Sequence, residues 1–245
     1  MKIDAFIFCY NEEKMIRHTL NHYSKFCDKI TIMDNFSNDE TIAIITNEYQ
    51  NINIISFETN NQCREDIQTN LKNTCWKDSK ADYVIVCDMD ELLYSDNLNL
   101  ELKKLSKYKP SVCSIIGYEM FSKKFPEKYN KSIFEQVKNG VRNYRFDKTI
   151  LFSPKYVKEI NYDYGAHTCN PEFKNRFKKN HLIEFKLLHY KYLDRKAIIE
   201  KHKKYAYRLS ELNIKQSWGI EYQDGENHIN EKFKHAKKHA FKIIP

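Results

Sequence analysis

The sequence predicts an α/β fold: a mostly parallel sheet flanked by helices. Three observations carry this. Short apolar runs alternate with segments of helical periodicity from Ile3 to Cys87, the pattern of βαβ units with right-handed crossovers. The runs are continuously apolar, as strands buried on both faces are. Only 5 Gly and 5 Pro occur in 245 residues, which excludes a disordered, collagen-like or turn-dense all-β chain.

Ile3–Tyr10 is an apolar run that stops at Asn11-Glu12 and reads as a first strand. Glu12–Phe26 places Met15, Ile16, Leu20 and Tyr23 near helical spacing. Lys29–Met33 is a second strand, ended by the loop and N-cap chemistry of Asp34–Asp39. Thr41–Tyr49 reads as a helix, Ile52–Phe57 as a strand and Cys63–Trp76 as a helix. Ala81–Cys87 is a fourth strand and ends at Asp88-Met89-Asp90-Glu91. Open parallel sheets bind ligands at the carboxyl ends of their strands. Asn11-Glu12, Asp34-Asn35 and Asp88–Glu91 are therefore expected to share one rim.

The second half is less regular. Val112–Met120 and Thr149–Phe152 read as strands, and Phe125–Asn139 as a Lys-rich loop or surface helix. Leu182–Tyr192 is an apolar stretch enclosing His189, Asp194–Leu212 a helix, and Ile229–Phe241 a basic helix. No internal repeat or low-complexity linker separates the halves, so one domain is expected.

The net charge of +8 suits anionic partners: nucleoside diphosphates, nucleic acid or an anionic membrane face. The 17 Tyr and 15 Phe suit either sugar stacking or core packing. The 7 cysteines are scattered and contain no Cys-x-x-Cys pair, as expected of free thiols in a reducing cytoplasm. Lys2-Ile3-Asp4 leads straight into a strand pattern with no signal peptide, and no apolar stretch is long enough to span a membrane. A cytoplasmic protein is expected, with any membrane contact peripheral.

Asp88 and Asp90 leave the tip of a buried strand at i and i+2. Hard cations such as Mg²⁺ and Mn²⁺ take oxygen ligands, often one or two carboxylates plus substrate phosphates. The spacing points to a metal site facing a diphosphate; the alternative is an acidic loop capping a helix at Leu92.

Three runs carry a resemblance: Phe8-Cys9-Tyr10-Asn11-Glu12-Glu13, Met33-Asp34-Asn35-Phe36-Ser37-Asn38-Asp39-Glu40-Thr41 and Cys87-Asp88-Met89-Asp90-Glu91-Leu92. Together they resemble the family 2-like glycosyltransferases of the GT-A fold. Phe146-Asp147-Lys148-Thr149, Gly165-Ala166-His167-Thr168, Leu187–Tyr192 and Tyr207-Arg208-Leu209-Ser210 are similar to later blocks of the bacterial branch. The resemblance covers roughly residues 3 to 222. It implies a nucleotide-sugar-binding half over 1–110, an acceptor-binding half of the same GT-A domain over 111–222, and a basic tail over 223–245.

It further implies a uridine-type donor touching Cys9, Tyr10, Glu12, Asp34, Asn35, Arg64, Asp88, Met89 and Lys191. Asp34–Asp39 also reads as a cap, and Arg64 as a surface residue. Mn²⁺ or Mg²⁺ is expected on Asp88, Asp90 and His189, although a lone His in an apolar strand also reads as a core residue. Glu91 could orient the metal ligands. Transfer is expected to invert, which requires a general base for the acceptor hydroxyl. Glu119, Asp147, Asp163 and His167 are candidates; Asp147 and His167 are expected in the active site without either being assigned as the base, while Asp147-Lys148 also reads as an ion pair. Trp218-Gly219 could offer a platform for a sugar or pack in the core. The acceptor would be a glycan or lipid-linked glycan of bacterial surface polysaccharide. Lys234, Lys237, Lys238 and Lys242 of the tail could rest on the inner membrane face or form a solvated surface. Two rivals predict otherwise. A nucleotidyltransferase making nucleotide-sugars would show a Gly-rich N-terminal loop, where this strand ends in Cys9-Tyr10-Asn11-Glu12. A basic nucleic-acid-binding protein leaves the acids at the strand tips unexplained, so no nucleic acid partner is expected.

Overall fold

The structure is a computed structural model and describes residues 1–174, 177, 183–223 and 225–245. The chain begins β1 (Ile3–Cys9), α1 (Ile16–Tyr23), β2 (Lys29–Asp34), α2 (Thr41–Glu48), β3 (Ile52–Ser56), α3 (Glu65–Thr74) and β4 (Tyr83–Asp88). There follow β5 (Glu91–Tyr94), α4 (Leu98–Tyr108), β6 (Ile115–Ser122), α5 (Ile133–Gln136), β7 (Asn139–Arg142), β8 (Leu151–Phe152), β9 (Val157–Glu159) and β10 (Glu172–Phe173). The last elements are β11 (Phe185–Leu193), α6 (Arg195–Arg208), α7 (Glu211–Lys215), α8 (Gly225–His239) and β12 (Phe241–Lys242).

The first sheet has the order β3-β2-β1-β4-β8, parallel throughout except for β8. Along β1, Ile3, Ala5, Ile7 and Cys9 enter one core cluster while Phe6 and Phe8 enter the other. Both faces are thus covered, which is why the strands read as unbroken apolar runs. The second sheet has the order β12-β7-β6-β11-β5, with β11 parallel to β6 and antiparallel to β5. This mixed α/β architecture is the GT-A type that the sequence predicts.

Several boundaries move for identifiable reasons. α1 starts at Ile16 rather than Glu12 because Asn11 has a φ of 53° and residues 11–13 donate across to Ser37, Asn38, Thr41 and Asp39. α3 starts after Cys63, which pairs with Leu209 instead. The single helix expected over 194–212 breaks at Leu209, and Ser210 caps α7 by accepting from the Asn213 N–H at 3.1 Å. Phe125–Asn139 holds only the short α5 before β7 begins. The apolar stretch is β11; Leu182, where the sequence starts it, lies outside the described residues. The sequence announces neither β5 nor α4. Asn97 caps α4 by accepting from the Leu100 N–H at 3.1 Å, and Lys109 ends it with a φ of 48° ahead of Pro110.

Gly117 permits one close approach. A Cβ there would lie 2.3 Å from the Phe146 carbonyl carbon. The bare backbone lets the turn Tyr144–Phe146 lie across β6. Among the described residues, no helix is long and apolar enough to cross a membrane.

Candidate active site

β4 ends at Asp88 and β5 begins at Glu91, so Met89-Asp90 is the link between the two sheets. A cleft of about 500 Å³ opens at that junction. Cys9, Tyr10, Glu12 and Asn35 line it from the first sheet, Asp88, Met89, Asp90 and Glu91 from the link, and Glu119, His167, His189 and Lys191 from the second half. Of the expected rim, Glu12, Asn35 and Asp88–Glu91 line the cleft, while Asn11 does not.

Among the described residues, Asp34, Arg64, Asp147 and Asp163 are not part of the lining. Each is used elsewhere. Asp34 accepts from the Ser37 hydroxyl at 2.6 Å and shapes the loop after β2. Arg64 pairs with Asp66 at 2.6 Å on the outer surface of α3. Asp147 accepts from the Gly117 N–H at 2.8 Å and from Arg142 at 2.6 Å, fastening the Tyr144–Phe146 turn. Its expected ion pair with Lys148 is absent because Lys148 points inward to Glu91. Asp163 accepts from the Tyr164 N–H at 2.8 Å.

Asp88 and Asp90 differ sharply in their surroundings. Asp88 Oδ1 lies 2.7 Å from Lys72 Nζ, and Oδ2 lies 4.0 Å from Lys148 Nζ. Lys148 is buried and ion-paired with the equally buried Glu91, whose other oxygen accepts from the Asp88 N–H at 3.1 Å. Burial pushes the Asp88 carboxyl up, but Lys72 and then Lys148 outweigh it and hold the group down at about 2. Burial likewise opposes the Lys72 ammonium, yet Asp88, Glu91 and Glu65 raise it above the ordinary lysine value. Asp88 is thus a permanent anion with a built-in counter-cation.

Asp90 faces His189 instead, with Oδ1 3.6 Å from Nε2. The register of β11 makes this possible, since His189 stands opposite Glu91 on one side and Glu119 on the other. Nδ1–H of His189 donates to Glu119 Oε1 at 3.3 Å, and the ring stacks on Phe146 with centroids 4.0 Å apart. Glu119 is further held by Asn143 at 3.3 Å and Lys232 at 3.8 Å. Burial raises the Asp90 and Glu119 carboxyls, but His189 together with Lys201 and Lys191 at Asp90, and with Lys232 and Lys191 at Glu119, outweighs it and lowers both. A bulge in β11 between His189 and Tyr192 accompanies the presentation of both Lys191 and Tyr192 to the cleft.

On the other side of Asp90, α6 supplies Lys201 and Tyr205 to the cleft lining and sets Arg208 against Tyr10 and Asn35, which also line it. Lys201 pairs with Glu12, and burial of its ammonium is overcome by Glu12 and Asp90, which keep it cationic. Arg208 lies 3.3 Å from the centre of the Tyr10 ring and donates to Asn35 Oδ1 at 2.7 Å. Asn35 also donates to the Phe57 carbonyl at 3.0 Å and to Thr59 Oγ1 at 2.9 Å. Its amide is therefore spent inside the protein. Tyr205 adds a ring edge-on to Tyr10 at 6.0 Å.

His167 follows a turn in which Gly165 takes a φ of 77° and its N–H donates to Glu65 at 2.8 Å. The Nδ1–H donates to the Arg145 carbonyl at 2.9 Å. That partner fixes the tautomer and leaves the Nε2 lone pair uncommitted. Burial, then Lys148, lowers His167 to about 3.

The sequence matches the family described as Glycosyl transferase family 2 over residues 4–198. The chain belongs to that family. Among solved structures, this family 2 chain is similar to S. aureus TarS 1-349 in complex with UDP-GlcNAc, at 15% identity and a TM-score of 0.47, over 85% of this chain and 66% of that one. It is also similar to S. aureus TarS, at 21% identity and a TM-score of 0.35, over 50% of this chain and 22% of that one. The chain thus spans less than two thirds of the length of either. No curated protein matches the sequence significantly.

Family 2 enzymes commonly use a divalent cation. Among the described residues no group of three His, Cys, Asp or Glu side chains is poised to hold one. Asp90 and His189 do converge, and two protein ligands completed by substrate phosphate oxygens suffice for Mg²⁺ or Mn²⁺. Glu119 behind His189 is the carboxylate–imidazole pairing that orients metal-binding histidines. The pair therefore fits a cation that arrives with a diphosphate, whereas the third expected ligand, Asp88, is turned to Lys72.

No role was expected for Lys72, Lys201, Tyr205 and Arg208 of this family 2 site, although Arg208 stands in the block Tyr207-Arg208-Leu209-Ser210. The last three lie at i, i+4 and i+7 on α6 and share one helix face. That spacing was the available signal, but Lys and Arg on a helix ordinarily mark a solvated face. Lys72 sits on α3 with no local pattern to separate it from a surface lysine.

Proposed function

We propose that this chain is a glycosyltransferase that moves a sugar from a nucleoside-diphosphate donor, a uridine one, to a hydroxyl of a glycan acceptor, with Mn²⁺ or Mg²⁺ as cofactor. The observation that carries this is the Asp90–His189–Glu119 line at the junction of the two sheets in a family 2 chain.

The nucleoside lies along Cys9, Tyr10 and Asn35, in a slot whose wall Arg208 fixes. Glu12 and Lys201 border it, and Lys191 and Lys201 face the diphosphate as cations. Asp90 and His189 would hold the cation, which when bound neutralises charge growing on the departing diphosphate. Asp88, kept ionised by Lys72, offers its free oxygen as a hydrogen-bond acceptor to the donor beside Met89.

The acceptor hydroxyl attacks the anomeric carbon and gives its proton to His167 Nε2, with inversion. Both oxygens of Glu119 are engaged and Asp147 and Asp163 lie outside the cleft lining, whereas His167 lines it with its Nδ1 committed to the Arg145 carbonyl and its Nε2 left to accept. The acceptor belongs to bacterial surface polysaccharide. A lipid-linked acceptor would draw the chain to the inner membrane face, a contact that the exposed Lys234, Lys237, Lys238 and Lys242 suit.

The test is a thermal-shift panel of nucleoside diphosphates with and without Mn²⁺. A ligand of the native state raises the melting temperature by mass action. UDP should shift it, Mn²⁺ should enlarge the shift, and Asp90→Asn should remove only the enlargement. If no uridine nucleotide shifts the transition with either metal, the proposal fails.

A further inference from the structure

His189 divides the cleft. Its Nε2 faces Asp90 and the proposed donor side, while its Nδ1 faces Glu119, which Asn143 and Lys232 contact in turn. The wall beyond Nδ1 carries Arg145, which lines the cleft, is exposed, and has no carboxylate partner among the described residues. The lysines of the lining each have an anionic neighbour: Lys72 has Asp88, Lys148 has Glu91, Lys191 has Glu221, Lys201 has Glu12 and Lys232 has Glu119. Even the Lys232 pair is long at 3.8 Å, and its side chain is 38% exposed.

Close to Arg145 stands an aromatic platform. The Arg145 carbonyl accepts from His167, and that turn carries Tyr164, whose ring stacks on Trp218 with centroids 3.8 Å apart. Trp218 is half-buried and Tyr164 exposed, and both line the cleft. Ser217 and Gly219 flank Trp218 with φ values of 58° and 67°, so the backbone bends sharply on both sides of the indole. An aromatic surface and an exposed guanidinium that line the same cleft can together recognise a pyranose ring that also carries negative charge.

We propose that the wall formed by Arg145, Lys232 and the Tyr164–Trp218 stack binds an acceptor glycan bearing an anionic group, either a sugar carboxylate or a phosphate ester. The inference rests on the glycosyltransferase reading and names the substrate class of its acceptor side.

Trp218 is one of 2 tryptophans, and the other, Trp76, is buried in the core. Trp76→Phe therefore leaves a single fluorescent reporter on the platform. The reporter protein, saturated with UDP and Mn²⁺, is titrated with methyl glucoside, methyl glucuronide and glucose 6-phosphate. At least one anionic sugar should change the emission with a dissociation constant roughly tenfold below that of methyl glucoside, about the effect of one charge-assisted contact. Arg145→Ala should erase that preference and leave UDP binding unchanged. The two anionic arms separate carboxylate from phosphate. Should Trp76→Phe fold poorly, the same titrations are run on the unmodified chain and on Trp218→Phe, and the difference is read. Equal binding of all three sugars, binding of none, a preference that survives Arg145→Ala, or loss of UDP affinity in that variant would each overturn the proposal. Failure of the unmodified chain to bind UDP would remove the donor reading instead, and this proposal with it.

Discussion

Replacing Lys72 with methionine removes the cation that faces Asp88 at 2.7 Å. The Lys72 side chain is 5% exposed and that of Asp88 35% exposed, so the pair is half in the interior and half at the cleft. With an effective dielectric of about 20, charges roughly 4 Å apart attract by about 4 kcal/mol. Desolvation of the lysine offsets part of this, and Lys148 at 4.0 Å retains some compensation for Asp88. A coupling of about 2 kcal/mol is therefore expected between the two side chains. The assay is a double-mutant cycle on Lys72→Met and Asp88→Asn, read by urea and thermal unfolding. Lys72→Met alone should cost about 2–3 kcal/mol, roughly 4–12 °C in melting temperature for a chain of this size. In the Asp88→Asn background the same substitution should cost much less. If the two changes add to within about 0.5 kcal/mol, Asp88 does not depend on Lys72 and the electrostatic account of its low pKa is refuted.

Gly117→Ala should lower stability by about 1–3 kcal/mol and distort the Tyr144–Phe146 turn, because the new methyl meets backbone atoms at 2.3–2.4 Å; unfolding curves measure this. Arg208→Lys should weaken UDP binding several-fold in calorimetry, since lysine cannot both lie flat on Tyr10 and donate to Asn35 and Asn61. Acid should destabilise the fold. Burial lowers His22 to about 4 and His202 to about 3, so below the unfolded value of about 6.5 the unfolded chain binds protons that the native chain refuses. Each such histidine makes stability fall by about 1.4 kcal/mol per pH unit across the interval between its two pKa values, and His22→Gln should flatten a plot of melting temperature against pH.

The first sheet was legible because a parallel strand buried on both faces writes itself as an unbroken apolar run. The link at Asp88–Asp90 was legible because it ends such a run. β5 was not, since Glu91–Tyr94 is short and its partner β11 lies far along the chain. Asp147 illustrates the limit at the level of chemistry. From sequence it is an acid in an active-site block, yet its oxygens serve the Gly117 N–H and Arg142. Asn35 reads as a base-contacting amide, and only its neighbours reveal that Phe57, Thr59 and Arg208 consume it. Sequence names the donors and acceptors; tertiary packing decides which remain unspent.

The return of α6 onto the first sheet sets the order in which the protein can become competent. Arg208 and Leu209 dock on Asn61 and Cys63, and Lys201 on Glu12, closing loops of more than a hundred residues. Until synthesis has passed Leu209, the nascent sheet holds an Asn35 amide oxygen without its guanidinium and a Glu12 without its cation. Ribosome-bound intermediates would therefore offer only an incomplete groove to nucleotide, and chains cut before α6 should behave as folding cores rather than as miniature binders.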